Sequence, residues 1–79
     1  MAQPTVTIYS TPTCHFCHLA KDFFTANNVP FTDYNVGSDL EKRREMVEKS
    51  QQMGVPVIAI GDKVIVGFNE AEVRTALGM

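Results

Sequence analysis

The chain has no surplus of basic charge, no long apolar run and only two cysteines among its 79 residues. Seven Lys and Arg against nine Asp and Glu leave a formal charge of −2, which gives no electrostatic footprint for nucleic acid. The one basic cluster, Lys42-Arg43-Arg44, is interleaved with Glu41, Glu45 and Glu48 and reads as a solvated helix face. No apolar stretch approaches the roughly 20 residues that span a bilayer, so no membrane partner is expected. Met1-Ala2-Gln3-Pro4 lacks the pattern of a signal peptide, which makes a reducing cytoplasm the expected compartment. Repeats, linkers and low-complexity segments are also missing. Residues 1–79 therefore read as a single domain, expected to be a monomer, near the lower size limit for a core that folds without staples.

Two cysteines cannot build a disulfide framework. A bridge between Cys14 and Cys17 closes so short a loop that it removes little entropy from the unfolded chain. In a reducing compartment such a lone pair is more often catalytic or metal-binding than structural. Three residues apart on a helix, the two side chains face the same way, within the span of a disulfide. The pair points to reversible dithiol chemistry.

The order of elements agrees. Thr5 to Ser10 alternates and is β-branched, as a strand should be. Pro12 interrupts the chain, and a helix then runs to about Asn28, with Phe16, Leu19, Ala20, Phe23, Phe24 and Asn27 on one broad face. Phe31 to Val36 reads as a second strand. A second helix, about 39–52, starts at a capping box of Ser38 with Glu41, buries Leu40, Met46, Val47 and Met53, and ends at Gly54. Val55 to Ile60 and Lys63 to Val66 form a hairpin over Gly61-Asp62. Asn69, paired with Glu72, caps a last helix whose inner side is Val73, Ala76 and Leu77. The fold class is α/β in the order β-α-β-α-β-β-α: four strands in a mixed sheet, three helices, strands one and two parallel across a helical crossover.

Cys14-His15-Phe16-Cys17 after the first strand, Gly54-Val55-Pro56 before the third, Tyr9-Ser10 and the Gly67-Phe68-Asn69-Glu70 turn together resemble the glutaredoxin family of the thioredoxin fold, over essentially the whole chain. The resemblance implies a dithiol–disulfide oxidoreductase that holds no bound cofactor, uses glutathione as co-substrate and acts on disulfide-bearing proteins or glutathione mixed disulfides. Cys14 is then the nucleophile and Cys17 the resolving thiol. Thr11, His15, Phe16, Val55, Pro56, Phe68 and Asn69 are the implied substrate- or glutathione-binding residues. The Val55-Pro56 bond is expected to be cis, with the Val55 N–H and C=O free to take an extended substrate as an added strand.

Three positions depart from the family pattern. His15-Phe16 replaces the usual Pro-Tyr between the cysteines. Thr11 stands where a lysine is usual, and Gly67-Phe68-Asn69-Glu70 replaces an acidic Gly-Gly-x-Asp-Asp turn. The last two normally help to hold glutathione. A Gly-Phe turn is closer to the redoxins that take electrons from thioredoxin reductase and serve ribonucleotide reductase, which is the alternative reading.

The chemistry at the cysteines follows from helix geometry. At the N-cap of the first helix, the Cys14 sulfur is expected to accept from the Phe16 and Cys17 amides at the positive end of the helix dipole, which lowers the thiol pKa. A lowered pKa helps attack only modestly, because nucleophilicity falls with basicity, and helps more when Cys14 must depart as a leaving group. His15 is either a partly protonated imidazole that stabilises the thiolate or an exposed side chain. Phe16 is expected to form an apolar rim. The run Cys14-His15-Phe16-Cys17-His18 also matches c-type haem attachment, with His18 and Met46 or Met53 as axial ligands, and Cys14, Cys17 and His18 could serve a zinc ion. A carrier holding an iron–sulfur cluster between two protomers is the further reading from another class.

Overall fold

In a computed structural model, residues 5–78 are described. Met1 to Pro4 and Met79 lie outside them, and with them the segment read above for an export signal. Seven elements follow one another: β1 (Val6–Ser10), α1 (His15–Ala26), β2 (Thr32–Asn35), α2 (Leu40–Ser50), β3 (Val57–Ile60), β4 (Lys63–Val66) and α3 (Glu70–Leu77). The sheet order is β2-β1-β3-β4, with β1 parallel to β2 and antiparallel to β3, and β4 antiparallel to β3. This is the element order read from the sequence, and the thioredoxin-like architecture that the resemblance implies.

Alternation along the strands divides the core between the two faces of the sheet. Val6 and Ile8 of β1, Ile58 and Ile60 of β3 and Ile65 of β4 pack against Ala20, Phe23 and Phe24 of α1 and Val73 of α3. On the other face Tyr9 and Val57 meet Met46 of α2 and Val36. α1 and α3 thus cover one side and α2 the other. The helices close on both faces because β1 and β3, the central strands, present apolar residues to each. Among the described residues, no helix is long and apolar enough to cross a membrane.

Several local expectations are corrected. The N-cap of α2 is Asp39, not Ser38: Asp39 Oδ1 accepts from the Lys42 amide at 3.1 Å, while Ser38 Oγ turns back to the Asn35 carbonyl. A carboxylate acceptor also suits the positive end of the helix better than a hydroxyl. α2 ends at Ser50, with Gln51 in the left-handed region at φ 61°, rather than at Gly54. The Gly54 amide instead donates to Gln52 Oε1 at 2.6 Å, and a Cβ at position 54 would sit 2.8 Å from that oxygen, a contact that the flexible Gln52 side chain can relieve by moving.

Leu40 and Met53 are not buried. They are 70% and 61% exposed and line a groove with Arg43, Arg44 and Val47, because Leu40 begins the helix and Met53 lies past its end. Phe16 and Leu19, placed above on the apolar face of the first helix, are 56% and 38% exposed, and fully buried Cys17 takes part in that face instead. β2 is shorter than expected, and β3 starts at Val57, leaving Val55 and Pro56 before the strand.

One long-range polar contact ties α2 to the sheet. The buried Tyr9 hydroxyl donates to Glu45 Oε2, and Glu45 also faces Lys42 at 3.6 Å. Burial, and then the hydrogen bond to Glu45, push the Tyr9 phenol above its ordinary range. The same hydrogen bond, helped by Lys42 and opposed by burial, lowers the Glu45 carboxyl. A carboxylate whose folded pKa is depressed stabilises the fold above its unfolded pKa and loses that contribution as pH falls through the folded value. Glu45→Gln should therefore melt below the wild type at pH 7, by a modest margin since Glu45 is partly exposed. The margin should close as pH falls below the ordinary glutamate range, where the wild-type carboxyl protonates too. Parallel thermal melts at pH 7 and pH 3 test this; a margin that persists undiminished at pH 3 contradicts it.

Candidate active site

Strand register brings the functional positions to one end of the sheet. Ser10 pairs with Asn35 and Tyr9 pairs with both Tyr34 and Val57, while Val57 pairs with Val66. The β1–α1 turn, the Val55-Pro56 bond and the Gly67-Phe68-Asn69 turn all leave the sheet at that end. The Gly67 amide donates to the Pro56 carbonyl at 2.8 Å and joins the last two. Gly67 lies at φ +82°, a conformation that suits glycine. The Val55-Pro56 peptide bond is cis.

Cys14 is the N-cap of α1, extended at φ −85° and ψ 116°, and its Sγ accepts the Cys17 amide at 3.1 Å. The Phe16 amide, expected as a second donor, makes no such bond. One N–H and the end of the helix therefore form the electrostatic environment of this sulfur. Cys14 is half-buried, whereas Cys17, one turn deeper, is fully buried. Their Cα atoms are 5.2 Å apart and their sulfurs lie within bonding reach. Only the outer sulfur can meet a molecule from solution.

The residues around them divide into those open to solvent and those engaged with the fold. His15 and Phe16 are exposed, with ring centroids 5.6 Å apart in an edge-on arrangement. Thr11 is half-buried at the end of β1, its methyl facing Gly37. Pro56 is buried and Val55 is partly buried against the Tyr9 cluster. Among the described residues, neither the amide nor the carbonyl of Val55 enters a hydrogen bond. Phe68 packs inward, its ring 5.8 Å from that of Phe23. Asn69 Oδ1 is occupied by the Glu72 amide at 3.2 Å, and Glu70 pairs with Arg74 at 3.0 Å. At the Phe68-Asn69 turn, then, an apolar ring and a committed amide stand in place of free carboxylates.

Three contacts around the site were not legible in the sequence. Ser10, buried at the end of β1, donates to Asp33 Oδ1 at 2.6 Å, and Asp33 Oδ2 accepts from Lys21 at 2.9 Å, which locks α1 onto β1 and β2 just below the site. His18 turns its Nε2 toward the Pro12 carbonyl at 2.9 Å. With the two sulfurs facing each other and His18 directed at a backbone carbonyl, Cys14, Cys17 and His18 do not converge as a ligand set, and no other group of three or more metal-ligating side chains occurs among the described residues. Met46 lies buried in the cluster under α2 and Met53 is on the surface, so the two methionines considered as haem ligands are tied to other surroundings.

Comparison with known proteins agrees with this geometry. The family model described as Glutaredoxin matches residues 6–65. The chain is 48% identical over 68 residues to a glutaredoxin-like 8.6 kDa protein in the rubredoxin operon of Clostridium pasteurianum, covering 86% of this chain and 91% of that one. It is 33% identical over 73 residues to glutaredoxin 3 of Escherichia coli K12, covering 92% and 88%. The structure of the glutaredoxin-like protein NrdH-redoxin from Escherichia coli, described by its thioredoxin-like activity profile, superposes with a TM-score of 0.79 at 25% identity over 90% of this chain and 92% of that one.

Proposed function

The chain belongs to the glutaredoxin family, and from that premise we propose that it reduces protein disulfides and glutathione mixed disulfides, with Cys14 as nucleophile and Cys17 as resolving thiol. The family and the cysteine pair support thiol–disulfide oxidoreductase chemistry. The division of roles is carried by the asymmetry of the pair: a half-exposed sulfur at a helix N-cap over a buried sulfur within bonding reach.

In the proposed cycle the Cys14 thiolate attacks one sulfur of the substrate disulfide, and the other sulfur leaves as a thiolate that takes a proton from solvent. Cys17, deprotonated, then attacks Cys14 Sγ. The Cys14–Cys17 bond forms, the mixed disulfide breaks, and the second substrate thiol departs. Two electrons have passed from the protein to the substrate. The N–H and C=O of Val55, unpaired among the described residues, support binding of the substrate backbone as an added strand, with Phe16 and His15 as an exposed aromatic rim. In the same reading the protein works as a monomer in a reducing cytoplasm, holds no cofactor and is returned to the dithiol by two molecules of glutathione, which leave joined as a disulfide.

A second reading is favoured by Thr11, where the family usually has lysine, and by Phe68, which packs on Phe23 where an acidic turn is usual. It has thioredoxin reductase supplying the electrons and ribonucleotide reductase among the acceptors. The test oxidises the protein and follows recovery of its thiols with glutathione plus glutathione reductase, or with NADPH plus thioredoxin reductase. Fast recovery with glutathione is the expected result. Fast recovery only with thioredoxin reductase replaces the first reading by the second.

A further inference from the structure

The turn that delivers Cys14 to the helix is held by His18. Pro12 and Thr13 are exposed, and within the turn one long bond, from the Cys14 amide to the Thr11 carbonyl at 3.3 Å, closes it. His18 adds two contacts from the first turn of α1. Its amide donates to the Cys14 carbonyl at 3.2 Å, as the helix requires, and its ring Nε2 lies 2.9 Å from the Pro12 carbonyl. Among the described residues no other hydrogen bond ends on that carbonyl. A carbonyl oxygen carries no proton, so the ring donates and Nε2 holds the hydrogen. Protonation at Nδ1 leaves this bond intact.

We propose that His18 is a positioning residue for the cysteine pair: by pinning the Pro12 carbonyl it fixes the turn and keeps Cys14 Sγ over the Cys17 amide in the reduced protein. The Cys14 sulfur has a single amide donor, at 3.1 Å, and hydrogen bonds weaken steeply once the donor is misaligned. In the oxidised protein the bridge to Cys17 holds Cys14 in place. In the dithiol that restraint is gone, and outside the helix itself the clamp on Pro12 is left beside the one long bond from the Cys14 amide to Thr11. This rests on the reading of Cys14 as nucleophile.

The test is the rate at which iodoacetamide alkylates the reduced protein across pH. Cys17 is fully buried, so the reaction reports Cys14. His18 is exposed and leaves no hole when replaced. His18→Leu removes the donor and should displace the rate profile toward higher pH by about 0.7 of a pH unit, the shift that one net hydrogen bond commands, with a smaller slowing at pH 7 because nucleophilicity rises with basicity. His18→Gln keeps a neutral N–H donor and should recover most of the wild-type rate. If His18→Leu matches the wild type across pH, the clamp is overturned while the redox reading stands. If His18→Gln is as slow as His18→Leu, the effect belongs to the imidazole charge, and the clamp is again overturned. Wild-type protein that alkylates no faster at pH 7 than a cysteine in an unstructured peptide overturns the nucleophile reading, and the clamp with it.

Discussion

Cys14→Ser will lose essentially all activity on every substrate, by about 10³-fold or more, the scale on which an enzyme falls when its nucleophile is removed. A serine hydroxyl at a helix N-cap still accepts the Cys17 amide, so the fold and the cap survive. It is not ionised at neutral pH and cannot enter a disulfide. Cys17 cannot substitute, because it is fully buried and no external disulfide reaches it. Cys17→Ser should behave differently. Cys14 can still take glutathione from a glutathionylated peptide and be freed by a second glutathione, a cycle that needs one thiol. Reduction of a protein disulfide should be lost, because the mixed disulfide has no partner to resolve it. Release of glutathione from a labelled peptide and reduction of a two-cysteine protein substrate, measured on both variants, separate the roles. Equal and complete loss in both variants contradicts the assignment.

The parts of this site that were legible in the sequence are those set by local rules. Cys14 as N-cap, Asn69 as the cap of α3 and Gly61-Asp62 between β3 and β4 each depend on residues within three or four positions of one another. The cis Val55-Pro56 geometry came through resemblance. What failed was of two kinds. Ser38 and Asp39 are both good caps one residue apart, and which one serves is settled by Asn35, whose side chain and carbonyl organise the preceding turn. Leu19 falls on the apolar face of α1 by periodicity yet is 38% exposed, because a place on the helix face does not say how far the sheet beneath it extends. Contacts between distant segments were beyond reach altogether: Tyr9 and Glu45 are 36 residues apart, and Ser10 and Asp33 are 23 apart. The sequence shows the reactive pair well and the scaffold that aims it poorly, because aiming is tertiary.

That scaffold supplies the other large effect. Phe24→Ala should cost about 3 to 5 kcal/mol of folding stability, the range for deleting a buried phenylalanine ring. Phe24 is fully buried, its ring 5.7 Å from those of both Phe23 and Phe31, in the cluster that joins α1 to β1, β3 and α3. A domain of this size has about 4 to 12 kcal/mol in total at the usual value per residue, so the variant should lie close to its unfolding threshold. Phe24→Leu, which fills more of the space, should lose less. Phe16→Ala, on an exposed ring, should change stability by under about 0.5 kcal/mol. Urea unfolding with the denaturant slope held common to the four proteins measures this; a loss below about 1 kcal/mol for Phe24→Ala means that the cluster closes over the gap. The same variant separates folding from chemistry. Phe24 lies two turns along α1 from the cysteines, so in the molecules that remain folded Cys14 should be alkylated at the wild-type rate, even as the fraction folded declines. A change in that rate without a change in stability would mean that the ring acts on the thiol itself, through the helix that carries both.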